Sequence, residues 1–375
     1  MSESVSSVSS PAGLAWKKFL RHKSGMFGLC CISVAFLLSL FCYWLAPDNT
    51  SDCNQMNVQV SLMPPGSEVR FIAQPLTGEV QDKGVMDILL NGRSPLYKFI
   101  PVADCKIGSV YFFFREFTGN NGSSGILDSL PLTSLVKFNK NGSDADAYLV
   151  EKRFWLGTDR FGRDLLSRLM LGARVSMSVG LIAVLISLVI GIGLGALAGY
   201  FRGWVDKTIV WLINVVWSIP TLLLVVAITL ALGKGFVQVF IAVGLTMWVE
   251  VARIVRGQFF SLREQQFVEA GKALGYGNTR IIFRHILPNI LGPVIVIAAS
   301  NFASAILLEA GLSFLGMGAQ PPTPSWGMMI KENYAYIVVD AAWLAILPGA
   351  AIALMVLSFT LLGNGLRDAF DTRTA

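Results

Sequence analysis

The sequence predicts an all-α transmembrane bundle of six spans, with an extracytoplasmic β-rich or mixed insert between the first and second spans. Hydrophobic residues make up 54% of the 375 residues and charged residues 14%, and the mean hydropathy is +0.60. A soluble domain is about one quarter charged, so that class is excluded. Six apolar runs are long enough to cross about 30 Å of hydrocarbon. They are Met26–Ala46, Val175–Tyr200, Thr208–Leu232, Phe236–Val255, Ile290–Leu315 and Trp343–Leu362.

The apolar runs divide the chain into segments with different expected environments. We expect a cytoplasmic segment over residues 1–25, a first span over 26–46, an extracytoplasmic insert over 47–156 and an interfacial segment over 157–174. A five-span core follows over 175–366, with a cytoplasmic loop over 260–289, and residues 367–375 form a cytoplasmic tail. The first run is too long for the apolar region of a signal peptide, so we expect it to remain as a span.

The positions of lysine and arginine predict which flanks face the cytoplasm. Basic residues precede the first span and follow the second and fourth spans, at Lys17, Lys18, Arg21, Lys23, Arg202, Lys207 and from Arg253 to Arg284. The positive-inside rule assigns these flanks to the cytoplasm, and six spans then return the C-terminus to the same side as the N-terminus. The arginines within 160–174 fall on the outer side, but long translocated segments are largely exempt from the rule.

The insert is rich in Asn, Gly, Ser and Asp and contains short β-type runs such as Val110–Phe114. Gly and Pro interrupt these runs, which is typical of strands separated by turns. Its two cysteines are Cys53 and Cys105. Outside the cytoplasm they could form a disulfide or remain free thiols.

The stretch Phe267–Asn289 is polar and basic although long apolar runs precede and follow it. We therefore expect it at a membrane surface. Phe267, Ala270 and Leu274 recur at helical spacing, which predicts an amphipathic helix that begins near Glu264. The exposed face of such a helix suits either docking by another protein or adsorption on lipid headgroups.

A hinge is expected where this helix ends. Gly275 can enter the left-handed conformation without steric cost and so terminate the helix. Asn278 can cap a second helix that continues through Ile286, and Pro288 is expected to end it.

Three features of this loop resemble the cytoplasmic EAA loop of permease subunits of ATP-binding-cassette importers. They are Glu269-Ala270-Gly271, Gly275 six residues after the glutamate, and Leu287-Pro288. Gly271 stands where that family usually has a third alanine, and His285 stands where it usually has isoleucine. The string RHILPN and the segments Trp155–Ser176 and Glu309–Gly327 resemble the dipeptide and oligopeptide branch. The insert has no counterpart in this resemblance.

The resemblance implies that the loop docks into a separate ATPase, through Phe267, Glu269, Ala270, Gly271, Leu274, Gly275, Leu287 and Pro288. It also implies a homologous second permease subunit, two ATP-binding-cassette ATPase subunits and an extracytoplasmic substrate-binding protein. The ATPase subunits would use ATP and magnesium. We expect this chain to contact membrane lipid and no nucleic acid.

Motifs for chemistry within the chain are missing. No G-x-x-x-x-G-K-[ST] string occurs, so we expect no nucleotide binding and no enzyme activity here. The two histidines, His22 and His285, cannot make a metal site with each other. We therefore expect no bound metal or cofactor.

Several residues within the apolar runs are candidates for the transport pathway. Pro220 should bend or unwind its helix. Ionisable residues inside a membrane must pair or face water, which applies to Glu309 and to Glu250 with Arg253, three residues apart. Glu309 either lines the pathway or is present only as a feature of the family segment.

Arg163 and Asp164 lie in the charged segment that precedes the second span. Its arginines and leucines are spaced to form an amphipathic interfacial helix. This segment is either a gate near the binding protein or an anchor in the lipid headgroups.

Gly191, Gly195 and Gly199 recur every four residues within the second span. Such a stripe forms a groove in which another transmembrane helix can pack closely.

Together with these patterns, the resemblance implies a permease subunit in the bacterial inner membrane that forms the translocation path of an ATP-driven importer of dipeptides or oligopeptides. A nickel-chelate or other small-solute importer is an alternative within the same family. A secondary transporter or channel is a second alternative, which would call for inverted repeats or carboxylate relays. No such repeat is visible in the sequence.

Overall fold

A computed structural model describes residues 11–76, 84–119, 124–138, 145–233 and 235–370. The chain divides into two compact units. The first, the membrane unit, contains the chain up to Ala35, Ser176–Ala319 and the chain from Ala350 onward. The second, the insert unit, contains Phe36–Val175 and Gln320–Gly349.

Helices make up most of the described chain. They are Pro11–Arg21 (α1), Lys23–Leu40 (α2), Cys42–Leu45 (α3), Val85–Asn91 (α4), Leu165–Phe201 (α5), Gly203–Trp217 (α6), Thr221–Leu232 (α7), Phe236–Arg263 (α8), Gln266–Ala273 (α9), Asn278–Arg280 (α10), Leu291–Phe314 (α11), Trp326–Asn333 (α12) and Trp343–Phe370 (α13). A π-helix over Ile281–Ile286 and a 3-10 turn over Leu287–Ile290 join α10 to α11.

Five helical stretches among the described residues are long and apolar enough to cross a membrane: α2, α5, α8, Asn278–Phe314 and α13. The pair α6 and α7 is bent by 91° and supplies a sixth span if it is one broken helix. The prediction of six spans agrees with this upper count. The break falls at Pro220, which directly precedes α7 and lacks the N–H that a continuous helix needs. The bend predicted at this proline is therefore present.

The second span begins earlier than the sequence predicts. α5 is continuous over 37 residues from Leu165, whereas the apolar run begins at Val175. Residues 165–174 are the first turns of the spanning helix and do not form a separate interfacial helix. Hydropathy alone missed this start because the arginines of these turns lower the local average.

The predicted glycine stripe is a contact between α5 and α8. A Cβ at Gly191 would lie 2.5 Å from Val251 Cβ, and one at Gly195 would lie 2.6 Å from the Ala252 carbonyl oxygen. The glycines therefore let the two helices approach at backbone distance, as small residues do in membranes.

The core of the membrane unit brings together four helices. Val179 of α5, Val225 of α7, Val243 of α8 and Ala305 of α11 are all fully buried in one apolar cluster. α8 thus lies against several spans, which matters because its C-terminal end leads into the candidate docking loop.

The insert unit contains a five-stranded antiparallel sheet. Its strands are Ser67–Pro75 (β1), Tyr97–Ile107 (β2), Tyr111–Phe117 (β3), Ser124–Pro131 (β4) and Leu149–Phe154 (β5), in the order β4-β3-β2-β1-β5. The β-type run Val110–Phe114 falls largely within β3. The structure therefore contains the β-sheet expected of the insert.

Both faces of this sheet are covered. Alternation along β1 sends Phe71 into a cluster with Val60, and Ile72 into a second cluster with Phe112 and Phe114. Adjacent residues of a strand point to opposite faces, so one sheet can organise two small cores.

The segment between the fifth and sixth spans completes the insert unit. The Trp326 indole N–H donates to the Leu169 carbonyl at 3.0 Å, and the Thr323 hydroxyl donates to Asp52 at 2.9 Å. The unit is thus built from two stretches that are distant in the chain.

The disulfide alternative for the two insert cysteines is wrong, and both are free thiols. Cys53 is buried in a cluster with Tyr43, and its Sγ donates to the Asp48 carbonyl at 3.1 Å. Cys105 lies on β2 beside the cluster around Phe112. The two thiols belong to different cores, and burial raises the pKa of Cys53 well above its ordinary value.

A substitution at the α5–α8 contact tests the packing. We expect Gly195→Val to destabilise the purified protein by about 1–3 kcal/mol, because the added methyl groups enter space held by α8. Gly193→Val is the matched control, since nothing lies within 4 Å of a Cβ at Gly193. Thermal unfolding in detergent measures both, and equal unfolding temperatures would contradict the packing.

Candidate functional site

The predicted docking helix is present as α9 and is slightly shorter than the sequence predicts. Its last turn is closed by Gly275, whose N–H donates to the Lys272 carbonyl at 2.9 Å. Gly275 has φ +76°, a conformation that other residues adopt only with strain. The helix therefore ends at the glycine that the sequence analysis singled out.

One face of α9 is fixed to the membrane unit. Val268 is fully buried and packs in a cluster with Phe259 of α8 and Ile281 of the π-helix. Gly271 is also buried, and a Cβ there would already contact the Tyr276 ring at 3.4 Å. The docking helix is thus anchored to the end of α8 and to the start of the next span.

The opposite face of α9 is open. Phe267 is 40% exposed and Leu274 70% exposed, and Glu269 and Ala270 are exposed beside them. Within the described part of the chain, the predicted apolar stripe therefore stays largely uncovered. Exposed apolar side chains held on a fixed helix are suited to a protein partner.

An aromatic and basic cluster follows the glycine. The rings of Tyr276 and His285 stack with centroids 5.6 Å apart, and the Arg280 guanidinium lies 3.9 Å from the Tyr276 centroid. Asn278 does not cap a helix as predicted, because its Oδ1 accepts a hydrogen bond from the Tyr200 hydroxyl at 2.8 Å. Gly277 occupies the cap position instead.

Pro288 does not end the second helix, so that prediction is wrong. The chain passes through the π-helix into the turn Leu287–Ile290 and on into α11, with the proline in the first positions of the turn. A proline is tolerated there because the first N–H groups of a helical segment have no internal partner. Leu287 is partly buried against the cluster around Val268, and Pro288 is exposed.

Arg163 lies in a buried cluster of charges in the insert unit. The side chain is 2% exposed, and its guanidinium contacts Asp159 at 2.6 Å and Glu332 at 3.0 Å. Arg168 approaches the same two carboxylates at 3.8 and 3.5 Å. Two positive and two negative groups therefore balance one another, and the Arg163 guanidinium is enclosed by protein.

Asp164 is buried next to this cluster and caps the start of α5. Its Oδ2 accepts hydrogen bonds from the Ser167 N–H at 2.8 Å and from the Ser167 hydroxyl. Burial raises the pKa of Asp164 above its ordinary value. The residue also lines a cavity of about 270 Å³ together with Asp48 and Lys152.

Lys152 is an unusual lysine in that cavity. Its Nζ donates to Gln55 at 2.9 Å and lies 3.3 Å from the Phe99 ring centroid. Burial lowers the pKa of Lys152 to about 8. The cavity therefore contains an amine that binds its proton less tightly than an exposed lysine does.

A second cavity, of about 300 Å³, lies in the membrane unit beside the break between α6 and α7. Trp217, Thr221, Glu250 and Ser304 are among the residues that line it. The predicted pair of Glu250 with Arg253 does not occur among the salt bridges of the described residues. The Arg253 guanidinium lies instead 3.3 Å from the Trp217 ring centroid, which leaves Glu250 beside the cavity.

Glu309 is 1% exposed within the membrane unit. Its carboxylate accepts hydrogen bonds from the Ser176 hydroxyl at 3.0 Å and from the Ser313 hydroxyl at 2.7 Å. These partners meet the requirement that a polar group inside a membrane be hydrogen-bonded. Whether Glu309 lines the pathway stays a prediction.

The sequence analysis did not single out Glu332. It lies 169 residues after its partner Arg163, so no local spacing connects the two. Only an indirect signal was present in the sequence. Residues 160–174 contain more arginines than acidic residues, so carboxylates from elsewhere on the same side of the membrane are expected to pair with them.

The fold and loop define a class of protein. The described residues form a bundle of up to six candidate spans, with an exposed helix that ends at Gly275 outside the apolar core, which is the architecture of a multi-span membrane protein. Residues 191–375 match the family described as "Binding-protein-dependent transport system inner membrane component". Residues 10–65 match the "N-terminal TM domain of oligopeptide transport permease C".

Individual relatives agree with this class. The dipeptide transport system permease protein DppC of Alkalihalophilus pseudofirmus is 44% identical over 219 residues, which are 58% of this chain and 72% of that protein. The glutathione transport system permease protein GsiD of Pectobacterium atrosepticum is 41% identical over the same shares. The chain therefore belongs to the family of inner-membrane permease subunits of binding-protein-dependent transport systems.

A solved structure is also similar. The inward-facing MetNI methionine ABC transporter matches with a TM-score of 0.46 and 18% identity, over 55% of this chain and 98% of that chain.

The charge cluster yields a stability prediction. We expect Glu332→Gln to destabilise the protein by roughly 3 kcal/mol, because it leaves two buried guanidinium groups with one carboxylate. The control is Glu68→Gln, which removes an exposed partner of Arg153 and should cost less than about 1 kcal/mol. Thermal unfolding of the purified variants measures the difference, and equal losses would show that burial does not strengthen the cluster.

Proposed function

We propose that this chain, with a homologous second permease, forms the translocation path of an ATP-driven importer of dipeptides or oligopeptides. The observation that carries this proposal is the 44% identity to a dipeptide permease across 72% of that protein. An extracytoplasmic binding protein delivers the peptide. Two ATP-binding-cassette ATPase subunits supply the energy with ATP and magnesium, because this sequence has no phosphate-binding loop.

α9 transmits the movement of the ATPase to the bundle. Its exposed side chains Phe267 and Leu274 enter the partner, while Val268 on the other face joins it to α8 and to the π-helix. A rigid displacement of α9 therefore moves the ends of two spans together. ATP binding then favours one of two bundle arrangements because it changes the contacts of the docked helix.

The broken helix pair and its cavity form part of the path. Non-helical backbone within a membrane is tolerated where it lines a water-filled cavity, which fits the 91° break at Pro220 beside a space of about 300 Å³. Glu250 supplies a carboxylate to that space. Glu309, held by two serines, is a second carboxylate of the path that changes partners when the bundle rearranges.

Arg163 and Asp164 belong to an outer gate rather than a lipid anchor. Arg163 is buried against Glu332 and so links the start of α5 to the segment after the fifth span, while Asp164 caps α5 through Ser167. The insert and this segment face outward, and both termini face the cytoplasm of a bacterial inner membrane.

Coupling through α9 is tested in proteoliposomes that contain the permease pair, the ATPases and the binding protein. We expect Glu269→Lys and Gly275→Val to lower ATP-dependent peptide uptake at least about tenfold, equivalent to about 1.4 kcal/mol of coupling. The first reverses charge on the exposed face, and the second places a branched side chain at φ +76°. Gly257→Val is the control, since that glycine has open space around it.

Uptake by Glu269→Lys at the level of the parent complex would contradict the coupling role. Uptake that stops when the proton gradient is collapsed at constant ATP, or uptake by this chain alone, would contradict the importer and favour a secondary transporter or channel.

The membrane orientation is tested with an impermeant maleimide on intact spheroplasts. We expect Cys105 to react, because it is partly exposed in the insert, and Cys53 to be protected by complete burial. In a Cys105→Ser background, Lys272→Cys should react only after the membrane is opened. Reaction of Lys272→Cys in intact spheroplasts would reverse the proposed topology.

A further inference from the structure

Among the described residues, residues 97–101 of β2 have a strand partner on one side only. β1 pairs with all of them, whereas β3 pairs with β2 only over Val102–Ile107. In the ranges of the chain that the structure describes, no strand occupies the other side of residues 97–101. An unpaired edge leaves backbone donors and acceptors free to bind another extended segment.

The odd-numbered residues direct their backbone groups to this free side. The Leu76 N–H donates to the Leu96 carbonyl at 3.0 Å, so the even-numbered residues of β2 form the hydrogen-bonded pairs with β1. The Phe99 carbonyl points the other way and accepts from Asn57 Nδ2 at 2.9 Å. The N–H and C=O of Tyr97 and the N–H of Phe99 therefore face the unpaired side.

A cleft of about 720 Å³ lies along this edge, and residues 97–101 all line it. Its volume falls in the range of sites that enclose small ligands. The edge therefore lies in a concave site and not on a flat surface exposed to solvent.

The side chains around the cleft suit a polar main chain. Asn54, Gln55, Gln59 and Gln74 line it. The oxygens of Asn54 and Gln55 already accept from Arg163 and Lys152, so these two offer a ligand their N–H groups, whereas the amides of Gln59 and Gln74 can both donate and accept. Such groups match the alternating N–H and C=O of a peptide backbone.

Charged groups complete the cleft. Lys98, Glu116 and Asp128 also line it, so a ligand with one ammonium and one carboxylate finds a group of opposite charge for each. This complement corresponds to the two termini of a short peptide.

We propose that this cleft binds a short extended peptide, which adds to β2 as a further strand. Main-chain hydrogen bonds then hold the ligand with little dependence on its side chains, as in other cases of strand addition. The edge spans about 16 Å at about 3.3 Å per residue, enough for a peptide of about five residues. The inference deepens the proposed function, on which it rests, by placing a peptide site outside the membrane unit.

The test is binding of penta-alanine to the full chain purified in detergent, without a binding protein. We expect saturable binding that weakens at least about tenfold when alternate peptide nitrogens are methylated, because each methyl group removes a main-chain donor. Phe99→Pro removes an N–H that faces the cleft and leaves the hydrogen bonds between β2 and β1 in place. It should weaken peptide binding by a similar factor. Phe113→Ala, on an exposed β3 position outside the cleft, should leave binding unchanged.

Equal binding of the methylated and unmethylated peptides would overturn the inference. This comparison does not depend on whether the variants fold, because both peptides are tested on the unaltered chain. Failure of penta-alanine to bind would also overturn it, and binding of the purified substrate-binding protein instead would identify the edge as a protein contact. Import by the assembled complex is a separate measurement. Its failure would contradict the proposed function, whereas intact import without binding at the cleft would contradict only this inference.

Discussion

Close contact between α5 and α8 is the constraint on which the membrane unit depends. Lipid gives no hydrophobic force between helices, so association relies on van der Waals contact at short range. Glycines at 191, 195 and 199 provide it by removing side chains from one helix. This contact fixes the position of α8. Because a buried cluster joins α8 to α9 and to the π-helix, the positions of those two elements are fixed as well.

Buried charged side chains are stabilised in three different ways, according to the groups around them. Arg163 and Arg168 share two carboxylates, which removes net charge from the interior of the insert unit. Glu309 has serine hydroxyls as partners, which satisfy hydrogen bonding without adding an opposite charge. Burial lowers the pKa of Lys152 to about 8, and its Nζ has Gln55 and the Phe99 ring as partners. Pairing and hydrogen bonding of these kinds are less costly than burying an isolated ion.

Much of the fold could be predicted because its signals are local. Hydropathy located the spans, a four-residue spacing located the α5 contact, and Pro220 and Gly275 acted through their own backbone restrictions. Features that depend on distant partners could not be read in the same way. The cluster around Glu332, the separation of Cys53 from Cys105, and the passage of the helix through Pro288 each depend on packing that no local pattern encodes. The exposed stripe of α9 was predictable from its helical spacing.

The insert unit is discontinuous in sequence, and this has a consequence for the order in which the protein forms. Domains generally fold as units while the chain is synthesised from its N-terminus. The sheet, Arg163 and Arg168 are made long before α12, which carries Glu332. Until five spans have been synthesised, Arg163 and Arg168 lack one of their two carboxylates and must remain hydrated. Completion of the insert unit is therefore coupled to insertion of the membrane helices that precede α12. Once α12 has been synthesised, Glu332 is available and the two guanidinium groups can be buried.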